Sequence, residues 1–263
     1  MKNWELERRG AIALATFTRP PRNLMSMAAM TEFEGLLGTI ADDPEIAVLV
    51  VTGGVDGYFV AHADLDDLTA LGRGEPVEGD PGSWGRAFAQ LAAMPQPVVA
   101  AIDGQAWGGG CELALACTLR VASERAHFGQ PEVAVGIIPG GGGTQRLPRL
   151  VGAGRAAELI LSARIIDAAE ALRIGLVEAV LPTDEFVAHA LQWVEPMATK
   201  PRPALFAAKR AMVDGLQLPL DEGLRVEGRL FIECQIRPET IALQNRVADA
   251  ERAAPPGRIV ELE

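Results

Sequence analysis

Continuous apolar runs in the first hundred residues predict three buried strands, at residues 12–17, 47–52 and 97–102. Such runs are typical of strands that are covered on both faces of a sheet. Between them, apolar residues recur at helical spacing over residues 28–40 and 84–93. The order of strand, helix, strand, helix and strand predicts an α/β architecture.

The second half of the chain has a more helical pattern. Short strands are predicted at residues 119–122, 133–137 and 176–181. Predicted helices follow one another at residues 153–162, 167–174, 184–198, 202–213 and 221–235. The tail from Pro255 onward is expected to be loosely attached. The C-terminal part is therefore predicted to be a helical extension, whose apolar faces suit oligomerisation as well as packing within the chain.

Composition narrows the class of protein. The 263 residues are 49% hydrophobic and 22% charged, which is typical of a soluble globular chain. The apolar runs are too short to cross a bilayer, and the N-terminus lacks the apolar core of a signal peptide, so we expect a cytoplasmic protein. A net charge of −11 argues against nucleic-acid partners and anionic membranes. The three cysteines and three scattered histidines predict neither a disulfide framework nor a metal site.

A glycine-rich turn at residues 108–110 follows the third strand and precedes an apolar helical segment at residues 111–117. A helix that starts directly after such a turn presents unpaired N–H donors at the positive end of its dipole. These donors can stabilise an oxyanion that develops during a reaction. A tight structural turn or a phosphate-binding loop is the alternative, although the spacing matches neither common phosphate-loop pattern.

Two glutamates lie close to this turn in sequence. Glu112 falls in the first turn of the predicted helix, and Glu132 follows Pro131 at the start of an apolar stretch. Glu112 alone could merely compensate the helix dipole, and Glu132 alone could be a solvated loop charge. Two carboxylates that share one cavity can instead divide acid and base functions between them. The pair therefore favours proton-transfer chemistry on an activated carbonyl compound.

Two other segments are candidates for the site. A second glycine cluster at residues 140–143 opens a helix, and it could bind phosphate or form a structural turn beneath the site. The segment of residues 58–65 follows the second strand, where parallel α/β sheets place ligands, and it could supply a second backbone donor. His62 in this segment is a general base in one interpretation and a packing or surface residue in the other.

The chain resembles the enoyl-CoA hydratase/isomerase (crotonase) family. The most specific matches are Asp-Gly-Gln-Ala-Trp-Gly-Gly-Gly-Cys-Glu-Leu at residues 103–113, Phe-Gly-Gln-Pro-Glu at 128–132 and Gly-Ile-Ile-Pro-Gly at 136–140. The resemblance extends over nearly the whole chain and is densest over residues 47–182. It implies a spiral of ββα units over residues 1–200, which carries the CoA and catalytic site. Residues 201–263 would then form a C-terminal helical trimerisation region.

The resemblance also implies a reaction. The substrate would be an acyl-CoA thioester, and the protein would be a homotrimer or a dimer of trimers. The backbone N–H groups of Ala63 and Gly109 would form the oxyanion hole. Glu112 would activate water for attack at C3, and Glu132 would deliver a proton to C2. The expected activity is hydration of a trans-2-enoyl-CoA to a 3-hydroxyacyl-CoA, in fatty-acid or related acyl-CoA metabolism, without a metal or other cofactor.

Binding of CoA requires local cations in an acidic protein. By the same resemblance, Arg22 is the first candidate for the CoA phosphates and Arg19 the second, although a solvated surface arginine is an equal alternative. The remaining predicted CoA-binding residues are Ala61, Asp64 and Leu65.

The chain departs from the family pattern at several positions. His62 stands where the family usually has glycine, and Thr118 replaces a common aspartate. Residues 237–241 lack the usual family ending. Because His62 precedes a predicted donor, it could strain the oxyanion geometry or narrow the pocket. A noncatalytic acyl-CoA-binding homologue, in which His62 has damaged the site, is therefore one alternative to a hydratase. An enoyl-CoA isomerase, in which one glutamate shuttles a proton, is the other.

Overall fold

The computed structural model describes residues 2–254 of the chain. The chain divides into two compact units, Met1–Lys200 and Pro201–Glu263. The expectation for the tail from Pro255 concerns residues outside those described. In the described part of the chain, no helix is long and apolar enough to cross a membrane.

The larger sheet of the first unit has six strands. In the order in which they pair, these are Trp4–Arg9 (β1), Ile12–Phe17 (β2), Val48–Gly53 (β3), Val98–Ile102 (β4), Leu119–Ser123 (β6) and Ala179–Leu181 (β9). β1 is antiparallel to β2, and every other neighbouring pair is parallel. All five residues of β4 are buried, as the continuous apolar run predicts for a central strand.

A smaller sheet aligns the two segments that carry the candidate glutamates. Its strands are Gln105–Trp107 (β5), His127–Gly129 (β7) and Ile165–Asp167 (β8). β5 and β7 are parallel, and β7 is antiparallel to β8. The pairing continues past β5, because the N–H of Gly108 donates to the carbonyl of Gly129 at 2.9 Å. The ends of β5 and β7 therefore lie side by side. The chain continues from β5 to Glu112 and from β7 to Glu132.

The described residues of the first unit contain eight helices. They are Met27–Ala41 (α1), Leu65–Gly72 (α2), Ser83–Ala93 (α3), Gly109–Ala116 (α4), Gly143–Val151 (α5), Ala153–Ser162 (α6), Ala168–Arg173 (α7) and Phe186–Ala198 (α8). α1 illustrates why they form. Ser26 caps its N-terminus by accepting a hydrogen bond from Ala29. Met30, Phe33 and Leu37 recur at helical spacing and are fully buried.

The second unit is helical throughout its described residues. It contains Arg202–Gly215 (α9), Leu220–Gln235 (α10) and Pro238–Ala253 (α11). α9 and α10 approach each other closely at two glycines. A Cβ added to Gly215 would lie 3.6 Å from the Cα of Gly223. α9 and α10 were predicted from the sequence, and α11 was not.

One predicted strand is wrong. Residues 133–137 were expected to be extended, whereas Pro131–Val135 forms a 3-10 helix. Pro131 has no N–H for a strand ladder, and Gly136 ends the helix in the left-handed region at a φ of 81°. The strand expected at residues 176–181 is shorter than predicted, since only Ala179–Leu181 pairs with its neighbour.

Candidate active site

A cavity of about 570 Å³ lies in the first unit, where β5, α4 and the 3-10 helix meet. Its lining includes Ala63, Gly109, Glu112 and Glu132, so the structure brings together all four residues predicted for the reaction. Among the described residues that line the cavity, His62 is the only other one whose side chain can ionise. The remaining wall consists of glycine, proline and apolar side chains.

Two backbone donors meet at this cavity. A Cβ added to Gly109 would lie 3.3 Å from the Cβ of Ala63, so the two residues are in contact. Gly109 is the first residue of α4, where an N–H has no partner within the helix. Within the described residues, neither the N–H of Ala63 nor that of Gly109 donates a hydrogen bond to the protein. Both donors are therefore free to bind an oxygen atom of a ligand.

Glycine is required for this contact. α4 packs so tightly on the segment before Ala63 that a Cβ on Gly110 would overlap the carbonyl oxygen of Val60. Gly108 starts the helix at a φ of 48°, in the region that favours glycine. The glycine turn is thus what allows the helix N-terminus to lie against the segment that carries the other donor.

Glu112 is buried in the first turn of α4 and is held by the second glycine cluster. The N–H of Gly143 donates to Glu112 Oε1 at 2.8 Å, and the backbone of Gly141 packs against the same carboxylate. Burial raises the pKa of Glu112, while the N–H groups of residues 141–143 and the charge of Arg146 oppose that shift. Of the two interpretations offered for residues 140–143, the structure therefore favours a turn that supports the site over a phosphate loop.

Glu132 lies in a less polar environment. It is buried in the 3-10 helix, and a Cβ added to Gly108 would lie 3.0 Å from its Oε1. Within the described residues its Oε2 has no hydrogen-bond partner. Burial raises the pKa of Glu132 to about 7, and the charge of Glu112 adds to the shift. Glu132 can therefore hold a proton near neutral pH.

The predicted CoA-binding residues have different surroundings. Arg22 is exposed and forms no hydrogen bond or ion pair within the described part of the chain. Arg19 is already engaged, since its Nη1 donates to Asp64 Oδ2 at 2.6 Å. Asp64 also caps α2. The carbonyl of Ala61 accepts from Trp107 at 2.9 Å, whereas the side chain of Leu65 lines the cavity.

The departures from the family pattern are accommodated in the fold. His62 is not among the non-glycine residues with positive φ, so the strain considered for it is not present. Its imidazole lines the cavity, as the pocket-narrowing alternative requires. Thr118 supports the sheet, because its Oγ1 accepts from the N–H of Val98 at 3.1 Å.

Two cysteines lie in α4 or directly after it, outside the lining of the cavity. Burial raises the pKa of the Cys111 thiol to about 12, which leaves it protonated and unreactive. Cys117 is also buried. Over residues 2–254, no group of three or more His, Cys, Asp or Glu side chains is arranged to hold a metal ion.

Comparison with known proteins identifies the family. The family model described as enoyl-CoA hydratase/isomerase matches residues 7–241. The chain belongs to the enoyl-CoA hydratase/isomerase family. It is 39% identical to the short-chain-enoyl-CoA hydratase of Clostridium acetobutylicum, with 89% of this chain and 90% of that protein covered. It is likewise 39% identical to the crotonyl-CoA hydratase of Syntrophomonas wolfei, over 89% and 90% of the two chains.

Solved structures of this family agree with the fold. The enoyl-CoA hydratase from Bacillus anthracis superposes with a TM-score of 0.86 at 33% identity, covering 96% of this chain and 98% of that one. The crotonase-like fold expected from the sequence motifs is thereby confirmed.

Several supporting residues were not predicted from the sequence. The indole of Trp84 packs on Gly109, where an added Cβ would lie 2.7 Å from its Cη2 atom. Arg146 donates to the carbonyl of Gly141 at 2.8 Å and so braces the turn that holds Glu112. The conspicuous glycines of residues 140–143 were a usable signal for this turn, whereas nothing in the local sequence marks Trp84.

The raised pKa of Glu132 predicts a pH-dependent stability. The folded protein retains this proton up to about pH 7, whereas an unfolded glutamate releases it near its ordinary pKa of 4.5. Stability should therefore fall as pH rises between these values. Between pH 5 and pH 8, the free energy of unfolding should fall by about 2 to 3 kcal/mol less in Glu132→Gln than in the unmodified protein. Urea unfolding at both pH values and at one protein concentration measures it.

The exposed Glu124 provides the control for this measurement. Glu124→Gln should unfold with the same pH dependence as the unmodified protein. If Glu132→Gln also retained that dependence in full, the proton on Glu132 would not be part of the folded state.

Proposed function

We propose that this protein is an enoyl-CoA hydratase. It adds water across the C2=C3 double bond of a trans-2-enoyl-CoA and forms a 3-hydroxyacyl-CoA, in fatty-acid or related acyl-CoA metabolism. The observation that carries the proposal is the convergence of two buried carboxylates and two free backbone donors on one cavity. Its relatives from Clostridium acetobutylicum and Syntrophomonas wolfei, which are named as hydratases, support the same activity.

In the proposed reaction the thioester oxygen lies between the N–H groups of Ala63 and Gly109. Attack of water at C3 moves electron density onto this oxygen, so an enolate forms. Preorganised donors stabilise the developing charge more than they stabilise the neutral carbonyl. The dipole of α4 points its positive end to the same place and adds to the effect.

The two glutamates divide the proton transfers. Glu112 receives the N–H of Gly143 and faces the charge of Arg146, both of which favour its carboxylate form. It therefore acts as the base that removes a proton from the attacking water. Glu132 lacks such a donor on its Oε2, keeps its proton to about pH 7, and delivers it to C2. Both steps are acid–base chemistry, so the proposed reaction requires no metal or redox cofactor.

Replacing either carboxyl by an amide tests these roles. Glu112→Gln and Glu132→Gln should each lower the rate of crotonyl-CoA hydration by at least ~100-fold, because neither amide can transfer the proton. Binding of CoA should change little. Loss of the ultraviolet absorbance of the conjugated thioester measures the reaction, with Glu124→Gln as the matched control.

The results of these assays would decide the roles of the two glutamates and the type of activity. Near-normal hydration by either amide variant would remove that glutamate from the mechanism. An unmodified protein that converts 3-enoyl-CoA to 2-enoyl-CoA but adds no water would be an isomerase. CoA binding without turnover on short or long trans-2-enoyl-CoAs would contradict the proposed function and favour a noncatalytic acyl-CoA-binding protein.

Arg22 is the proposed contact to the CoA phosphates. It is exposed and unpaired in the described residues, whereas Arg19 is occupied by Asp64. Asp64 and Ala61 would contribute by holding the neighbouring segment, and Leu65 by lining the cavity beside the pantetheine arm.

Arg22→Ala should raise KM for crotonyl-CoA several-fold and leave kcat close to its normal value, since the phosphates lie far from the reacting atoms. The effect should shrink as salt is added. Steady-state kinetics at low and high ionic strength measure it. Exposed Arg73 is the control, and Arg73→Ala should have the normal KM. An unchanged KM in Arg22→Ala at low salt would reject this residue as a CoA ligand.

The second unit is proposed to mediate self-association into a trimer or a dimer of trimers. α9 and α10 enclose an apolar groove of about 720 Å³, with Leu216, Leu220 and Phe231 in its wall. These three side chains are 83%, 79% and 60% exposed in the single chain. An exposed apolar surface of this kind is typical of a protein interface.

Leu220→Lys should lower the mass measured in solution toward that of the 27.9 kDa chain, because the interface would then bury a charge. Sedimentation velocity over a range of protein concentrations measures it. Glu222→Lys places the same side chain two positions further along α10, outside the groove, and should leave the mass unchanged. A monomeric unmodified protein would overturn the proposal.

A further inference from the structure

The segment that carries the Ala63 donor is fixed by Met25. The N–H of Met25 donates to the carbonyl of His62 at 2.9 Å, and the N–H of Asp64 donates to the carbonyl of Met25 at 2.8 Å. Met25 and Ala63 thereby form an isolated parallel bridge. In such a bridge the flanking peptide groups of residues 62 and 64 bond to Met25. The N–H and C=O of Ala63 itself are left to point away from it.

This arrangement creates an electrostatic problem for the oxyanion hole. The N–H of Ala63 attracts the thioester oxygen, but the carbonyl of Ala63 belongs to the same residue and presents the negative end of its dipole. A free carbonyl beside a developing oxyanion would oppose its formation. The structure places a donor on that carbonyl, because His62 Nδ1 lies 2.7 Å from Ala63 O. In the described residues, this oxygen accepts no other hydrogen bond.

The contact places a hydrogen on Nδ1 of His62. A carbonyl oxygen can only accept, so Nδ1 is the donor in this hydrogen bond. The ring is therefore held by the backbone of its own neighbour while it lines the cavity. Glycine, which the resemblance leads one to expect at this position, has no side chain that could make this bond.

We propose that His62 is a positioning residue for the oxyanion hole. Its Nδ1–H donates a hydrogen bond to the carbonyl of Ala63 and fixes the orientation of that residue. The bond also offsets the carbonyl dipole, which would otherwise destabilise the enolate. The inference rests on the proposed hydratase function. His62 transfers no proton in this scheme, and its effect reaches the substrate only through Ala63.

Substitutions at residue 62 can separate the hydrogen bond from the space that the ring fills. The Nδ2 of asparagine can occupy the place of histidine Nδ1, whereas the Nε2 of glutamine corresponds to the other ring nitrogen. His62→Asn therefore keeps the donor to Ala63, and His62→Gln lacks it at that position. His62→Gly removes both the donor and the ring. His127, which is exposed, supplies the control variant His127→Asn.

We expect His62→Gly and His62→Gln to lower kcat for crotonyl-CoA hydration about 10-fold with little change in KM. This loss is smaller than the roughly 100-fold expected when a donor is removed outright. His62→Asn should recover most of the rate, and His127→Asn should match the unmodified protein. Circular dichroism and thermal unfolding establish that each variant is folded.

A spectroscopic measurement tests the same inference without turnover. The absorbance of dimethylaminocinnamoyl-CoA moves to longer wavelength as its thioester carbonyl becomes more polarised. The bound probe should show this red shift in the unmodified protein and in His62→Asn, and a smaller shift in His62→Gly and His62→Gln. If no hydration occurred but this order of shifts held, the proposed function would fail and the role of His62 would stand.

Three results would overturn the inference. One is a His62→Gly variant with normal kcat and a normal red shift. Another is equal behaviour of His62→Asn and His62→Gln, which would mean that the ring only fills space. The third is an unmodified protein that binds the probe without any red shift.

Discussion

The structure depends on one close contact, between the start of α4 and the segment that ends at Ala63. Two backbones can approach this closely only where side chains are absent, and Gly109 and Gly110 meet that condition. The contact brings two unpaired N–H groups from distant parts of the sequence to one point. It also requires the first turn of α4 to be buried, so that Glu112 enters the cavity rather than the solvent. This one contact therefore determines both the positions of the two N–H groups and the burial of Glu112.

The burial of two carboxylates in one cavity would be costly if both were ionised. The fold resolves this by giving them unequal surroundings. Glu112 accepts from the N–H of Gly143 and lies near Arg146, whereas Glu132 Oε2 has no hydrogen-bond partner among the described residues. The charge of Glu112 adds to the shift that burial gives Glu132, whose pKa is raised to about 7. In the proposed reaction, one residue type therefore supplies both the base and the acid.

The sequence predicts those parts of the fold that depend on local pattern. β2 and α6 have the predicted boundaries, because a continuous apolar run marks the strand and a helical pattern marks the helix. The three-residue strands β5, β7 and β8 are too short to show alternation, and they form because the neighbouring strand is present. The same limit applies to the site. The glycine turn and both glutamates stand out in the sequence, whereas the packing of Trp84 on Gly109 exists only in three dimensions.

His62 departs from the family pattern, yet its side chain forms a hydrogen bond that supports the oxyanion hole proposed from that pattern. The bridge to Met25 directs both the N–H and the C=O of Ala63 away from Met25, so one residue presents the cavity with a dipole that attracts an oxyanion and a dipole that repels it. Glycine at residue 62 would leave the carbonyl to solvent or to the ligand. Histidine supplies a donor from within the cavity wall, at 2.7 Å, and needs no positive φ to do so. The side chain that looks most disruptive in the sequence thus completes the hydrogen bonding around the donor it precedes.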